Sequence, residues 1–218
     1  MAVGDWVPVY GWSLDPVVLT HDSYEGYFGA TTVEGEGTYI VHKSTWNLEV
    51  FSVKIGTYVK FKKLGDFEFV LKYRYIEEED EETGEIFREY KYYLFRFRCQ
   101  DGFGIDLMYY YNPKEEDTEY GIPIDSIDLT DWFREKGYDK DFENKWHWIS
   151  VTTGLRGTSL IFIFYFTHNS KLKLGEDLGD IYEERVAVIE DPEAYIPTGG
   201  VGLALASHYI VDYTKIYW

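Results

Sequence analysis

A strict two-residue alternation of aromatic and polar side chains through the middle of the chain limits the fold more than any other feature. Phe67, Phe69, Leu71, Tyr73 and Tyr75 alternate with Glu68, Val70, Lys72 and Arg74. Tyr93, Phe95, Phe97 and Cys99 alternate with Tyr92, Leu94, Arg96 and Arg98, and Phe103, Ile105, Leu107, Tyr109 and Tyr111 with Gly104, Asp106, Met108 and Tyr110. A period of two is the signature of a half-buried strand, because successive side chains leave opposite faces of a sheet. The first set of each strand is therefore expected inward and the second outward. Further strands are expected over 26–33, 37–43, 46–53, 57–63, 146–153, 185–189, 200–206 and 209–217. The run 160–166 is apolar on both parities and reads as a strand covered on both sides. Many short strands separated by turn residues predict an all-β, two-sheet antiparallel sandwich.

Two segments interrupt the pattern. Residues 76–89 contain an acidic, glycine-bearing run that reads as a solvated hairpin tip. Residues 112–145 form a connection too long to lack structure of its own. A short helix is expected within it, begun by Asp128, with Leu129, Trp132 and Phe133 as its apolar stripe and Gly137 at its end. Neither a repeat nor a linker divides the 218 residues. One domain over 1–218 is expected, with 1–25 as an N-terminal extension packed on it.

Charge narrows the partners. With 21 Lys and Arg against 39 Asp and Glu, the net charge is −18. Phosphate backbones and anionic lipid are repelled, so neither nucleic acid nor membrane insertion is expected. Cys99 stands alone, which excludes an intrachain disulfide, and its strand setting predicts a buried, unreactive thiol. The N-terminus carries no signal-peptide pattern, as a mature secreted domain or a virion protein would also show; an extracellular or virion-surface location is the expectation.

The C-terminal third carries a resemblance. Trp146-His147-Trp148-Ile149-Ser150-Val151, then Gly199-Gly200-Val201-Gly202-Leu203, then Val211-Asp212-Tyr213-Thr214-Lys215-Ile216-Tyr217, together with Gly65-Asp66-Phe67 upstream, are similar to the concanavalin A-like lectin/glucanase superfamily, in its laminin-G-like branch. The resemblance implies a jelly-roll of two antiparallel sheets with glycan ligands. It also implies a structural calcium (Ca2+) held by Asp212 and backbone carbonyls. Read from the residues alone, Asp212 bonding backbone at a sheet edge is the other account.

The outward face of the three central strands is the candidate ligand surface. Arg74, Tyr92, Arg96, Arg98, Asp106 and Tyr110 are expected to share it, with Glu68 and Lys72. Trp148 is expected to join them by parity, and Trp132 to close over them from the long connection. Tyrosines stack on sugar C–H faces, while Arg and Asp order the hydroxyls. Glu78–Glu82 and Glu115–Glu119 match a glucanase carboxylate spacing only formally. Their intervening positions are polar and lie in expected loops, so no catalytic residue is assigned. The leading reading is a non-catalytic glycan-binding module whose partner is an oligosaccharide. A structural or assembly subunit, for which a homo-oligomer is the expected form, and a glycoside hydrolase of the same fold stand as alternatives.

Overall fold

In a computed structural model, which describes residues 3–20, 29–46, 48–80, 82–112, 119–168 and 183–218, the alternating segments become long antiparallel strands. In chain order these are β1 (Trp6–Pro8), β2 (Val17–Thr20), β3 (Gly29–Thr32), β4 (Gly37–His42), β5 (Val53–Phe61), β6 (Phe67–Glu79) and β7 (Ile86–Arg98). They continue with β8 (Gly104–Asn112), β9 (Tyr120–Asp128), helix α1 (Thr130–Lys136), β10 (Trp146–Arg156), β11 (Ser159–Thr167), β12 (Glu184–Asp191), β13 (Gly200–Ala206) and β14 (Tyr209–Tyr217). Two seven-stranded sheets result, ordered β1-β4-β13-β6-β7-β8-β9 and β12-β11-β10-β5-β14-β3-β2. This is the all-β jelly-roll sandwich expected from the sequence.

The inward parity of β6, β7 and β8 meets the inner face of the second sheet. Tyr93 packs on Phe162, Phe95 on Phe164, and Phe97 on both Phe164 and Phe166, with centroids 5.0–5.8 Å apart. Phe97, Phe103, Phe133, Phe142 and Phe166 close one end of the core, with α1 contributing Phe133. Aromatic rings bury large areas and gain from tilted or offset contacts, so a core of this kind is a principal source of stability. Cys99 is buried here and its Sγ lies 2.7 Å from Gly65 O. Burial pushes its thiol up to about 12. A thiol reagent at pH 8 is therefore expected to label no cysteine in the native protein and one after denaturation.

Five local readings are corrected. A β-bulge between Leu71 and Arg74 inserts a residue into β6, with Lys72 at φ 59°. Beyond it the parity reverses. Tyr73 and Tyr75 pack on the outward face, while Lys72 is buried, its Nζ donating to Val50 O and Phe51 O at 3.2 and 2.8 Å. The same contacts hold 48–52 as an irregular segment rather than the expected strand over 46–53. Residues 112–145 contain β9 as well as the helix, and Pro123 suits β9 because it is the sheet's edge strand. On β11, Phe162, Phe164 and Phe166 are buried but Ile161, Ile163 and Tyr165 only half-buried, so that strand is not covered on both faces. The acidic hairpin has strands running on to Glu79 and from Ile86, with Asp80 Oδ1 accepting the Glu82 and Thr83 N–H groups in the turn.

Candidate functional site

The outward face of the first sheet is built in cross-strand rows. In one row Glu68 pairs with Arg96, Arg96 with Asp106, and Asp106 with Ser126. Glu68 is almost fully buried and accepts from Tyr39 Oη at 2.5 Å and Arg96 Nε at 2.6 Å. Asp66 lies 3.8 Å from Arg96 Nε, and Arg98 Nε lies 2.9 Å from Asp106 Oδ2, which also accepts from Ser126 through Oδ1 at 2.6 Å. Charge-assisted bonds of this kind fix side-chain direction more than exposed ion pairs do. Burial and the neighbouring Glu68 carboxylate hold the Tyr39 phenol protonated far above its usual range. Burial also raises the Asp66 carboxyl, against the pull of Arg96.

A second row is apolar, from Val41, Val70 and Leu94, and a third is aromatic. Tyr92 and Tyr110 stack at 5.3 Å and 18°, and Gly121 leaves room for the Tyr110 ring, since a Cβ there would lie 2.8 Å from it. Tyr92 Oη donates to Glu119 Oε2 at 3.1 Å.

The N-terminal segment crosses this face. Val9 N–H donates to Tyr39 O at 2.9 Å and Tyr10 N–H to Tyr73 Oη at 3.1 Å. Tyr10 then stacks on Tyr75, and Trp12 meets Tyr39 edge-on at 4.7 Å. Between this strap and the sheet lies a cleft of about 210 Å³ lined by Trp12, Tyr39, Asp66, Glu68, Ala204 and His208. Trp12 is 43% exposed, so part of its side chain stays accessible beside the cleft.

Of the residues expected on this surface, Arg96, Arg98, Asp106 and Tyr110 are brought together, half-buried. Tyr92 is with them but only 3% exposed, so it supports Tyr110 rather than offering a ring of its own. Four are elsewhere, the buried Lys72 among them. Arg74 falls beyond the bulge, on the opposite side of β6, where Nη2 donates to Thr198 Oγ1 at 2.8 Å. Trp148 does point away from Ile149 and Val151, but β10 belongs to the second sheet, so its outward face is the other one. There it is buried against Tyr58, and Nε1 donates to Glu183 Oε1 at 2.6 Å. Trp132 packs against Phe133 and Tyr138 at the end of the core instead of over the sheet. Tyr39, Asp66, His208 and Trp12 complete the cleft and are not among the expected ligand residues. Tyr39 alternates with Ile40 on a recognisable strand, whereas Trp12 lies in a stretch with no periodicity.

Asp212 is buried, its Oδ1 accepting the Tyr213 N–H at 2.7 Å. Among the described residues no group of three or more carboxylate, imidazole or thiol side chains gathers to hold a metal ion. Among the described residues the carboxylate runs form no acid pair on this face. Glu78, Glu79, Asp80 and Glu82 lie at the hairpin tip, residues 115–118 fall outside the described residues, and Glu119 bonds Tyr92. No described helix is long and apolar enough to cross a membrane.

No family model matches the chain, and no curated protein matches it. Among solved structures it is similar to the potassium-bound carbohydrate recognition domain of Emp46p, at 10% identity and a TM-score of 0.47, over 99% of this chain and 89% of that one. It is also similar to a beta-porphyranase from the human gut bacterium Bacteroides plebeius, at 8% identity and 0.42, over 83% and 67%. Lectin II from Ulex europaeus follows at 12% and 0.40, over 97% and 95%. At these values the two-sheet assignment rests on the strand topology itself.

Proposed function

We propose that the protein is a non-catalytic carbohydrate-binding module that holds a glycan on the outward face of its first sheet. The observation that carries the reading is the Trp12–Tyr39 cleft, where the partly exposed Trp12 indole stands beside the hydrogen-bonded Tyr39–Glu68–Arg96 network. A sugar ring presents C–H groups to one and hydroxyls to the other, which is the usual division of labour in a small-molecule site. The polar groups are already paired and directed, so little ordering is left to the ligand. The setting that belongs to this proposal is a glycan displayed outside a cell or on a virion.

A glycan array is the direct test. The wild-type chain is expected to bind a restricted set of neutral glycans. Arg96→Ala, which frees Glu68 and loosens Tyr39, is expected to weaken that binding by about tenfold or more, roughly 1.4 kcal/mol. Trp12→Ala, at an exposed position, is expected to do the same with little change in melting temperature. Silence across a broad array, or full binding by both variants, would overturn the reading.

A further inference from the structure

We infer that the site takes an internal stretch of a neutral polysaccharide chain, not a single terminal sugar; the inference rests on the glycan-binding reading above. The Trp12–Tyr39 cleft is one of three depressions that share walls. On the far side of Trp12, between the strap and Trp46, lies a groove of about 310 Å³ lined also by Val9, Tyr10, Tyr73 and Tyr75. Trp46 and Tyr75 in turn border a third depression of about 240 Å³, which adds Glu49, Arg74 and Gly199. That last one follows the edge of β6 left free where pairing with β13 stops, at Gly200 opposite Tyr73.

Each depression alone falls at or below the lower end of the about 300–1,000 Å³ that a drug-sized ligand occupies. Joined through shared aromatic walls, they suit something longer. A ligand running from Glu68 past Trp12 and Trp46 to the β6 edge, where Glu49 and Arg74 border the last depression, passes aromatic side chains along the way, with charged hydrogen-bonding groups at both ends and an apolar middle. A pyranose chain repeats that pattern, with C–H faces along its length and hydroxyls at its edges. The rings are held in place: Tyr10 stacks on Tyr75 at 5.4 Å and Trp46 meets Tyr73 edge-on at 5.4 Å. Net charge decides against polyanionic chains, because sulfated or uronic polymers would approach a protein of charge −18.

Calorimetry with fragments of two and six units from neutral glucan, mannan, xylan and galactan tests this on the whole chain. For the glycan that binds, the hexamer is expected to bind at least about thirtyfold more tightly than the dimer. Tyr10 is 42% exposed and lines only the middle groove, so Tyr10→Ala tests that groove with little risk to the fold. It is expected to shrink the hexamer-to-dimer ratio to about threefold or less. Trp46→Ala, with its melting temperature followed, is expected to act in the same direction. Equal affinity for dimer and hexamer, or an unchanged ratio in Tyr10→Ala, overturns the chain reading and leaves a terminal-sugar site standing. No binding at either length overturns the glycan reading with it. A proline-rich peptide that binds and is lost in Tyr10→Ala, where no hexamer binds, assigns the groove to a protein partner instead.

Discussion

Gly202→Ala is expected to destabilise the protein by about 3 kcal/mol or more, at or above the upper end of the usual cost of overpacking. Gly202 lies on β13, paired with Val41 of β4 on one side and Val70 of β6 on the other. A Cβ at this position would stand 1.8 Å from Ile40 O and 2.8 Å from Ile40 C and Val41 Cα. All three are backbone atoms, so no side chain can turn aside, and β4 must move away from β13. That movement opens the ladder carrying β4 and β1, and with them the strap that walls the cleft. For a domain of this size about 3 kcal/mol lowers the melting temperature by roughly 6–12 °C. Gly154→Ala is the matched control. Its Cβ would meet only Ile161 side-chain atoms at 3.7 and 3.9 Å, so a gain of up to about 1 kcal/mol is expected from the reduced freedom of the unfolded chain. Equal melting temperatures for Gly202→Ala and wild type would show that β4 and β13 do not pack this closely in solution.

The strands were legible because period two survives in the sequence wherever one sheet face meets the core. Phe67, Phe95 and Ile105 point inward for that reason, and β13 and β14 match the expected ranges 200–206 and 209–217. Parity holds only between irregularities. The β6 bulge lies in Leu71-Lys72-Tyr73-Arg74-Tyr75, where large aromatic and long basic residues continue to alternate after the faces have exchanged. Nothing in the pattern marks the extra residue. Parity also says nothing about which sheet a strand joins, and that is why Trp148 was expected beside Arg96 while it packs on Tyr58 instead. The charged part of the site was readable, since Arg96, Arg98 and Asp106 are polar positions on regular strands. Its aromatic wall was not, because Tyr10 and Trp12 lie in a connecting segment whose position is set by long-range bonds to Tyr39 and Tyr73.

Acidification is expected to destabilise the protein in part through His147. Its ring is fully buried, stacked on Phe142 at 4.2 Å and 15°, with Nε2–H donating to Phe142 O at 2.8 Å. Burial lowers its pKa from 6.5 to about 3, and the nearby His168 adds to the effect while Asp141 opposes it. Between those two values the unfolded chain binds a proton that the folded chain does not, so stability falls as pH falls. The stabilisation is complete above about pH 6.5, is lost at up to about 1.4 kcal/mol per pH unit below it, and totals roughly 4–5 kcal/mol by pH 3. That is a large share of the stability of an ordinary domain, about 5–15 kcal/mol. His168, whose pKa burial also lowers, steepens the same slope, whereas Asp66, raised by burial, works against it at lower pH. Denaturant titrations at pH 7.5, 6.5, 5.5 and 4.5 measure the slope directly. His147→Gln keeps an N–H for Phe142 O but cannot titrate, so it is expected to start from a lower stability at pH 7.5 and lose less of it on acidification, by close to one proton's worth. An identical pH slope in wild type and His147→Gln would assign the acid sensitivity to other groups. A flatter slope would show that the imidazole remains neutral in the core because no charge can be solvated between Phe142 and Phe166.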